Sequence, residues 1–240
     1  MAEKLGPVSR EVIARNLAKI RARMADAATR AKRSPDDVRL IAVTKYVSPT
    51  EVETLIDLGI KDIGENRIQE AETKKAAIAL RPGVYFHLIG HLQTNKADKA
   101  VELFNYVHSV DSERVASALN KEALKAGVRT IPCLLEVNVA GEANKFGIKP
   151  DADAISELID LFNTLPALKA EGLMAMAPFA ENPEPTSRPV FVRLRELRDA
   201  VAKRTGVALP QLSMGMTQDF DIAIEEGATM VRVGSALFEN

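Results

Sequence analysis

Short apolar runs of strand length recur eight times along this chain, and between successive runs the apolar residues shift to the three- and four-residue spacing of amphipathic helices. The runs cover residues 40–43, 62–65, 85–89, 106–110, 132–139, 170–176, 211–214 and 230–233. A helix between every two strands implies parallel pairing, because a tight turn joins only antiparallel neighbours. Eight strand–helix units in 240 residues predict an α/β fold of the closed (β/α)8 TIM-barrel type, whose usual length is about 250 residues. Local signals agree. Ser48, Pro49 and Glu51 combine an N-cap, a first-turn proline and a capping-box acid, and Gly59 closes the helix they open. Ile155, Leu158, Ile159 and Phe162 form one helical stripe, and Phe191, Leu194, Leu197 and Val201 another. A further stripe runs from Val8 through Leu17 and Ile20 to Ala28, its helix ending near Arg33. The last strand leaves little room for a helix behind it, so this N-terminal helix is expected to complete the outer ring. The proline-rich stretch 178–189 reads as a long loop after the sixth strand, leaving a single domain over residues 1–240.

Composition narrows the setting. With 46% hydrophobic and 27% charged residues the chain can bury a sizeable core, and its net charge of -1 lacks the basic footprint of a nucleic-acid binder. The single cysteine, Cys133, has no intrachain partner and reads as a buried core thiol. No apolar run approaches the roughly 18 residues that span a bilayer. Glu3, Glu11 and Asp26 interrupt the acid-poor pattern of a transit peptide, so the expectation is a cytoplasmic protein without membrane contact.

In such barrels chemistry sits at the C-terminal ends of the strands. Lys45 ends the first strand and, by the period of two, shares a face with Ile41 and Val43. Facing inward, its amine would be desolvated and favoured in the neutral form that attacks a carbonyl to make a Schiff base. The position equally suits a lysine that snorkels into water. After the seventh and eighth strands, Ser213 to Thr217 and Gly234 to Ala236 offer hydroxyls and backbone N–H groups of the kind that cradle phosphate. The alternative is that Thr217 caps a helix and Gly234 makes a turn. Arg232 shares its face with Met230 and Gly234, so an inward guanidinium needs a partner; Glu136 and Asn138 on the fifth strand are polar residues of one face. His87 and His91 lie about 13 Å apart in extended chain, too far to chelate one metal, and no metal is expected.

Seven segments in order resemble the YggS/PROSC family of pyridoxal phosphate homeostasis proteins: AVTK around Lys45, GENRIQE from Gly64, HLIGHLQTNK from His87, EVNVAGEANKFG from Glu136, GLMAMAP from Gly172, SMGMTQDF from Ser213 and VRVGSALF from Val231. The resemblance implies a barrel like the N-terminal domain of alanine racemase. It implies that Lys45 holds pyridoxal 5'-phosphate as a Schiff base, that Ser213, Gly234 and Ser235 hold its phosphate, and that Arg232 faces the pyridine nitrogen. Asn66, His87 and Met176 are expected around the ring. Ser235 stands where many relatives carry threonine, which keeps the hydroxyl.

The implied role is to carry or buffer this reactive aldehyde, and so to regulate its homeostasis and amino-acid metabolism, with pyridoxal-phosphate-dependent apo-enzymes as clients. A cation beside the pyridine nitrogen discourages its protonation and weakens the ring as an electron sink. The competing reading, an amino-acid racemase, also needs two acid–base groups on opposite faces of the substrate carbon, and Lys45 supplies one. In alanine racemase the second is a tyrosine from another domain across a dimer. Here the chain ends soon after the eighth strand, which predicts that this domain is missing and that the protein is monomeric. Tyr85 and Tyr106 lie at strand starts, and Tyr46 follows Lys45 with the opposite facing expected. A cofactor-free aldolase is a third reading.

Overall fold

The computed structural model describes residues 6–78, 81–128, 130–142 and 145–239. An opening helix α1 (Arg10–Arg30) precedes β1 (Arg39–Val43), α2 (Pro49–Asp57), β2 (Asp62–Glu65), α3 (Ile68–Ala77), β3 (Tyr85–Leu88), α4 (Ala97–Leu103) and β4 (Tyr106–Val110). The second half runs α5 (Glu113–Lys125), β5 (Ile131–Glu136), α6 (Ala152–Phe162), β6 (Leu168–Met174), α7 (Glu184–Thr205), β7 (Gln211–Ser213), α8 (Phe220–Glu225), β8 (Met230–Val233) and α9 (Ser235–Phe238). All pairings are parallel, in sequence order, and β8 returns to β1 with Arg39 opposite Met230 and Ala42 opposite Val233. The closed eight-stranded barrel expected from the alternation is therefore the fold.

Local chemistry explains the boundaries. Ser48 and Glu51 form the expected capping box, with Pro49 at the first helical position of α2. Strand β5 is shorter than expected because the Asn138 side chain bends the chain after it, donating to the Glu142 carbonyl at 2.9 Å and accepting from the Glu142 N–H at 3.2 Å. Gly172 admits the close approach of β6 to β7, since a Cβ there would lie 1.8 Å from the Gln211 carbonyl oxygen.

Helix α1 closes the outer ring, packing against α2, α8 and α9. Its buried face carries Ile13, Leu17, Ile20, Met24, Ala27 and Ala28. Asn16 on this face donates to the Glu239 carbonyl at 2.6 Å, satisfying an acceptor at the end of the short α9.

Apolar side chains divide between two compartments. The larger fills the space between strands and helices; the smaller, inside the barrel, comprises Ile41, Tyr106, Leu134, Met174 and Met230. So small an apolar plug leaves much of the interior to polar groups, which is unusual where branched apolar residues normally dominate.

Candidate functional site

A cavity of about 600 Å³ opens at the C-terminal ends of the strands. Loops after β1, β2, β3, β6, β7 and β8 all contribute, and the lining is mostly apolar, with Val43, Ile89, Met176, Pro178 and Phe179 among its walls. A second depression of about 690 Å³ lies over the β3–α4 and β4–α5 loops, lined by His91, Thr94, Asp111, Arg114 and Phe146; none of the expected binding residues faces it.

Lys45 lines the cavity and is half-buried. Strand β1 stops at Val43, and a turn follows in which the Val47 N–H donates to the Thr44 carbonyl at 3.1 Å. This turn corrects the expectation for Tyr46. The alternation that would face it away from Lys45 no longer applies, and its ring lines the same cavity with its centre 4.9 Å from Lys45 Nζ.

Behind the turn, Lys74 from α3 is almost fully buried and donates to the Thr44 carbonyl and to Glu65 Oε1, each at 2.6 Å. The Thr44 hydroxyl donates to the same carboxylate. Burial pushes the Glu65 carboxyl above the usual range against the opposing pull of Lys74, and its Oε2 has no partner among the described residues. One ion pair thus grips the residue before Lys45 and the residue before Asn66, both of which reach the cavity.

Across the seam between β1 and β8, the loops after β7 and β8 converge where the Ser235 hydroxyl donates to Thr217 Oγ1 at 3.3 Å. Asp219 shapes the first loop, accepting from the Met216 N–H at 2.7 Å and from the Ser187 hydroxyl at 2.8 Å. Glycine is required where these loops turn. Gly215 has φ +90°, and a Cβ there would meet Ala223 Cβ at 2.5 Å. A Cβ on Gly234 would crowd Val43 at 3.3 Å, narrowing the seam between β8 and β1 at the cavity.

Arg232 reaches the cavity from within the barrel. Its Nη1 donates to Ser213 Oγ at 2.5 Å and its Nη2 to the Ala175 carbonyl at 3.0 Å. Burial pulls it down to about 10, with Glu136 and Asp219 opposing. Glu136 moves the other way, to about 7, chiefly from burial and then from Asp111, with Arg232 opposing.

Of the expected residues, Lys45, Asn66, Met176, Arg232, Gly234 and Ser235 line the one cavity; His87 and Ser213 do not. Both are fully buried in the barrel interior. Ser213, expected at the phosphate, has its hydroxyl bonded to Arg232 and His108, whereas the hydroxyls that meet at the mouth are those of Thr217 and Ser235. His87, expected beside the ring, has its two nitrogens bonded to His108 and Asp62. Neither Asp62 nor His108 was singled out from the sequence. Their signal was parity, since His108 lies two residues beyond the inward Tyr106 and Asp62 two before Gly64.

A half-buried lysine, a pair of hydroxyls and a buried arginine thus gather around one mouth of a (β/α)8 barrel. Residues 15–239 match the family described as alanine racemase, N-terminal domain. The pyridoxal phosphate homeostasis protein of Aquifex aeolicus (strain VF5) is 40% identical over 222 residues, covering 92% of this chain and 95% of the relative. That of Pseudomonas aeruginosa is 41% identical over 232 residues, 94% of each chain. The solved structure of PipY from Synechococcus elongatus PCC7942 with PLP bound is similar at a TM-score of 0.82 and 33% identity, covering 95% of this chain and 100% of that one. This chain belongs to the alanine racemase N-terminal domain family and, within it, to the pyridoxal phosphate homeostasis proteins.

Proposed function

We propose that this protein binds pyridoxal 5'-phosphate through Lys45 and serves its homeostasis, carrying or buffering the cofactor without robust turnover. The observation that carries the reading is the convergence of three kinds of group on one cavity: the Lys45 amine, the Thr217 and Ser235 hydroxyls, and the Arg232 guanidinium. These residues suit the group. The hydroxyl pair and the turn at Gly234 would hold a phosphate, Lys45 would hold the aldehyde carbon, and Val43 and Met176 offer apolar walls to a flat ring. Pyridoxal phosphate, when bound, supplies an aldehyde open to reversible attack by an amine and a ring that withdraws electrons in proportion to the charge on its nitrogen.

The chain's own residues argue for holding over turnover. Arg232 is a donor only, so beside the ring nitrogen it discourages protonation there. A racemase needs acid–base groups on both faces of the reacting carbon. Among the tyrosines, Tyr46 shares the Lys45 turn and Tyr106 donates its hydroxyl to Glu171 at 2.8 Å, inside the barrel. Asp219, the acid in the cavity wall, accepts from both the Met216 N–H and the Ser187 hydroxyl. Client apo-enzymes, a cytoplasmic setting and a monomeric state belong to the same proposal.

Borohydride reduction followed by mass spectrometry of the protein incubated with pyridoxal phosphate tests it. The expected product carries the reduced cofactor on Lys45 and is absent from Lys45→Ala. A wild-type yield in that variant would assign the link to another amine. Incubating single amino-acid enantiomers in deuterated water tests the racemase reading, which steady exchange at the alpha carbon would favour.

A further inference from the structure

Beneath the cavity a row of hydrogen bonds crosses the barrel interior from β8 to β2. Arg232 Nη1 lies 2.5 Å from Ser213 Oγ, Ser213 Oγ lies 2.9 Å from His108 Nδ1, His108 Nε2 lies 3.0 Å from His87 Nδ1, and His87 Nε2 lies 2.9 Å from Asp62 Oδ1. The two ends fix its direction, because a guanidinium only donates and a carboxylate only accepts. Asp62, which also pairs with Arg39 at 3.7 Å, must accept from His87 Nε2–H. A neutral His87 then has only Nδ1 left as an acceptor, so His108 donates from Nε2 and accepts at Nδ1 from the Ser213 hydroxyl. Ser213 in turn accepts from Arg232. Donation therefore runs one way along the whole row, and both imidazoles are Nε2–H tautomers. Burial supports the neutral rings: it holds His87 below its usual range and His108 well below, where the positive charges of Arg232 and Arg39 add to the effect.

Aromatic contacts hold the ring planes. Tyr106 stacks on His87 with centroids 5.4 Å apart and also packs against His108. Two imidazoles, a hydroxyl and a guanidinium are costly to bury, and such a row is tolerated only when every member is satisfied. Well-packed apolar residues of similar volume, such as Leu134 and Met174 alongside, would hold the interior at least as well. The row is therefore weak as a device for stability, whereas it ends on Arg232, a buried cation that faces the cavity.

We propose that Asp62, His87 and His108 are positioning residues which, acting through Ser213, fix the plane and donor direction of Arg232 at the cavity floor from the opposite end of the barrel. This rests on the cofactor reading above only for what Arg232 meets; the row itself belongs to the protein alone.

Nitrogen-15 NMR of the full chain without added ligand gives the first test. Both rings are expected neutral and protonated at Nε2 at neutral pH; an imidazolium or an Nδ1–H tautomer at either ring overturns the row. Variants then test its role. Asp62→Ala removes the terminal acceptor, Asp62→Asn keeps an acceptor oxygen, and His108→Phe keeps a ring while deleting both bonds. Asp62→Ala and His108→Phe are expected to shift the absorbance maximum of bound pyridoxal phosphate and speed its release about tenfold, the loss of about one hydrogen bond, while Lys45 is still trapped by borohydride. Asp62→Asn should restore wild-type behaviour. Lowered thermal stability with unchanged absorbance and release in both variants would make the row structural only and overturn the proposal.

Should His108→Phe not fold, the two Asp62 variants decide alone, since that residue sits half-buried at a strand start. If wild-type protein takes up no cofactor on Lys45, the cofactor reading fails and the inference is read from the Arg232 guanidinium N–H signal. That signal should lose its protection from exchange in Asp62→Ala and keep it in Asp62→Asn; equal protection in both overturns the proposal.

Discussion

The two rims of the cavity are held by different physics. On the β1–β2 side, Lys45 and Asn66 follow Thr44 and Glu65, and both of those are gripped by the buried Lys74. On the β7–β8 side, Arg232 is held by a hydroxyl and a carbonyl, and Thr217 and Ser235 meet through their own hydroxyls. A buried ion pair is all-or-none, because losing one partner strands the other charge away from water. Single hydrogen bonds are graded, each worth about 0.5–1.5 kcal/mol net between neutral groups and about 1.5–3 kcal/mol where one partner is charged, as in Arg232. The rim that carries the amine is therefore rigidly set, and the rim that carries the hydroxyls can be adjusted in small steps.

The largest effect should come from breaking the charged rim. Lys74→Met leaves Glu65 fully buried without its cation and is expected to cost roughly 3–5 kcal/mol in denaturant unfolding. Pairing it with Glu65→Leu should recover most of that loss, since an apolar pair of similar volume avoids the desolvation penalty. A loss below about 1 kcal/mol in the single variant would put this pair in the range of exposed ones and erase the contrast between the rims.

Ser213→Ala tests the neutral rim. It removes the link between Arg232 and His108, leaving a buried donor and a buried acceptor unpaired, for about 1–3 kcal/mol. Retention of pyridoxal phosphate should weaken while the Lys45 adduct still forms, which equilibrium unfolding and cofactor release would measure side by side. If unfolding moves as far as in Lys74→Met, the neutral rim is as brittle as the charged one.

What could be read from the sequence follows the reach of each interaction. Capping at Ser48 and Glu51 spans three residues, and the strands at 106–110 and 230–233 announce themselves as short runs between helical patterns; all three match the fold. Lys45, Arg232, Gly234 and Ser235 were legible because strand ends in a barrel point to one mouth. The row through His87 and His108 was not, because its partners are 21 and 25 residues apart and meet only once the barrel closes. Lys74 hid for another reason. Its neighbours Glu72, Thr73 and Lys75 give the segment the polar look of a solvated helix face, and only the packing of α3 on β2 buries its amine. Tyr46 failed at a boundary, where a strand expected to continue became a turn.

A pH-dependent effect concerns Glu136 at the end of β5, which couples electrostatically to Arg232. Its carboxyl is raised from the usual 4.5 to about 7 in the folded chain, mainly by burial. An acid raised on folding binds its proton more tightly in the native state, so its contribution to stability is complete below about 4.5 and is lost as pH rises towards about 7. Within that window one proton of difference corresponds to a slope of up to about 1.4 kcal/mol per pH unit. Glu136→Gln keeps the shape of the protonated acid and cannot ionise. Unfolding midpoints at pH 5 and pH 8 should fall further for the wild type than for the glutamine variant. Parallel falls would move the pH dependence to other groups. A smaller fall in the variant would show that Glu136, one of the two carboxyls that oppose the burial of Arg232, is itself held back from ionising by its own burial, so that the charge it offers Arg232 fades as pH falls below about 7.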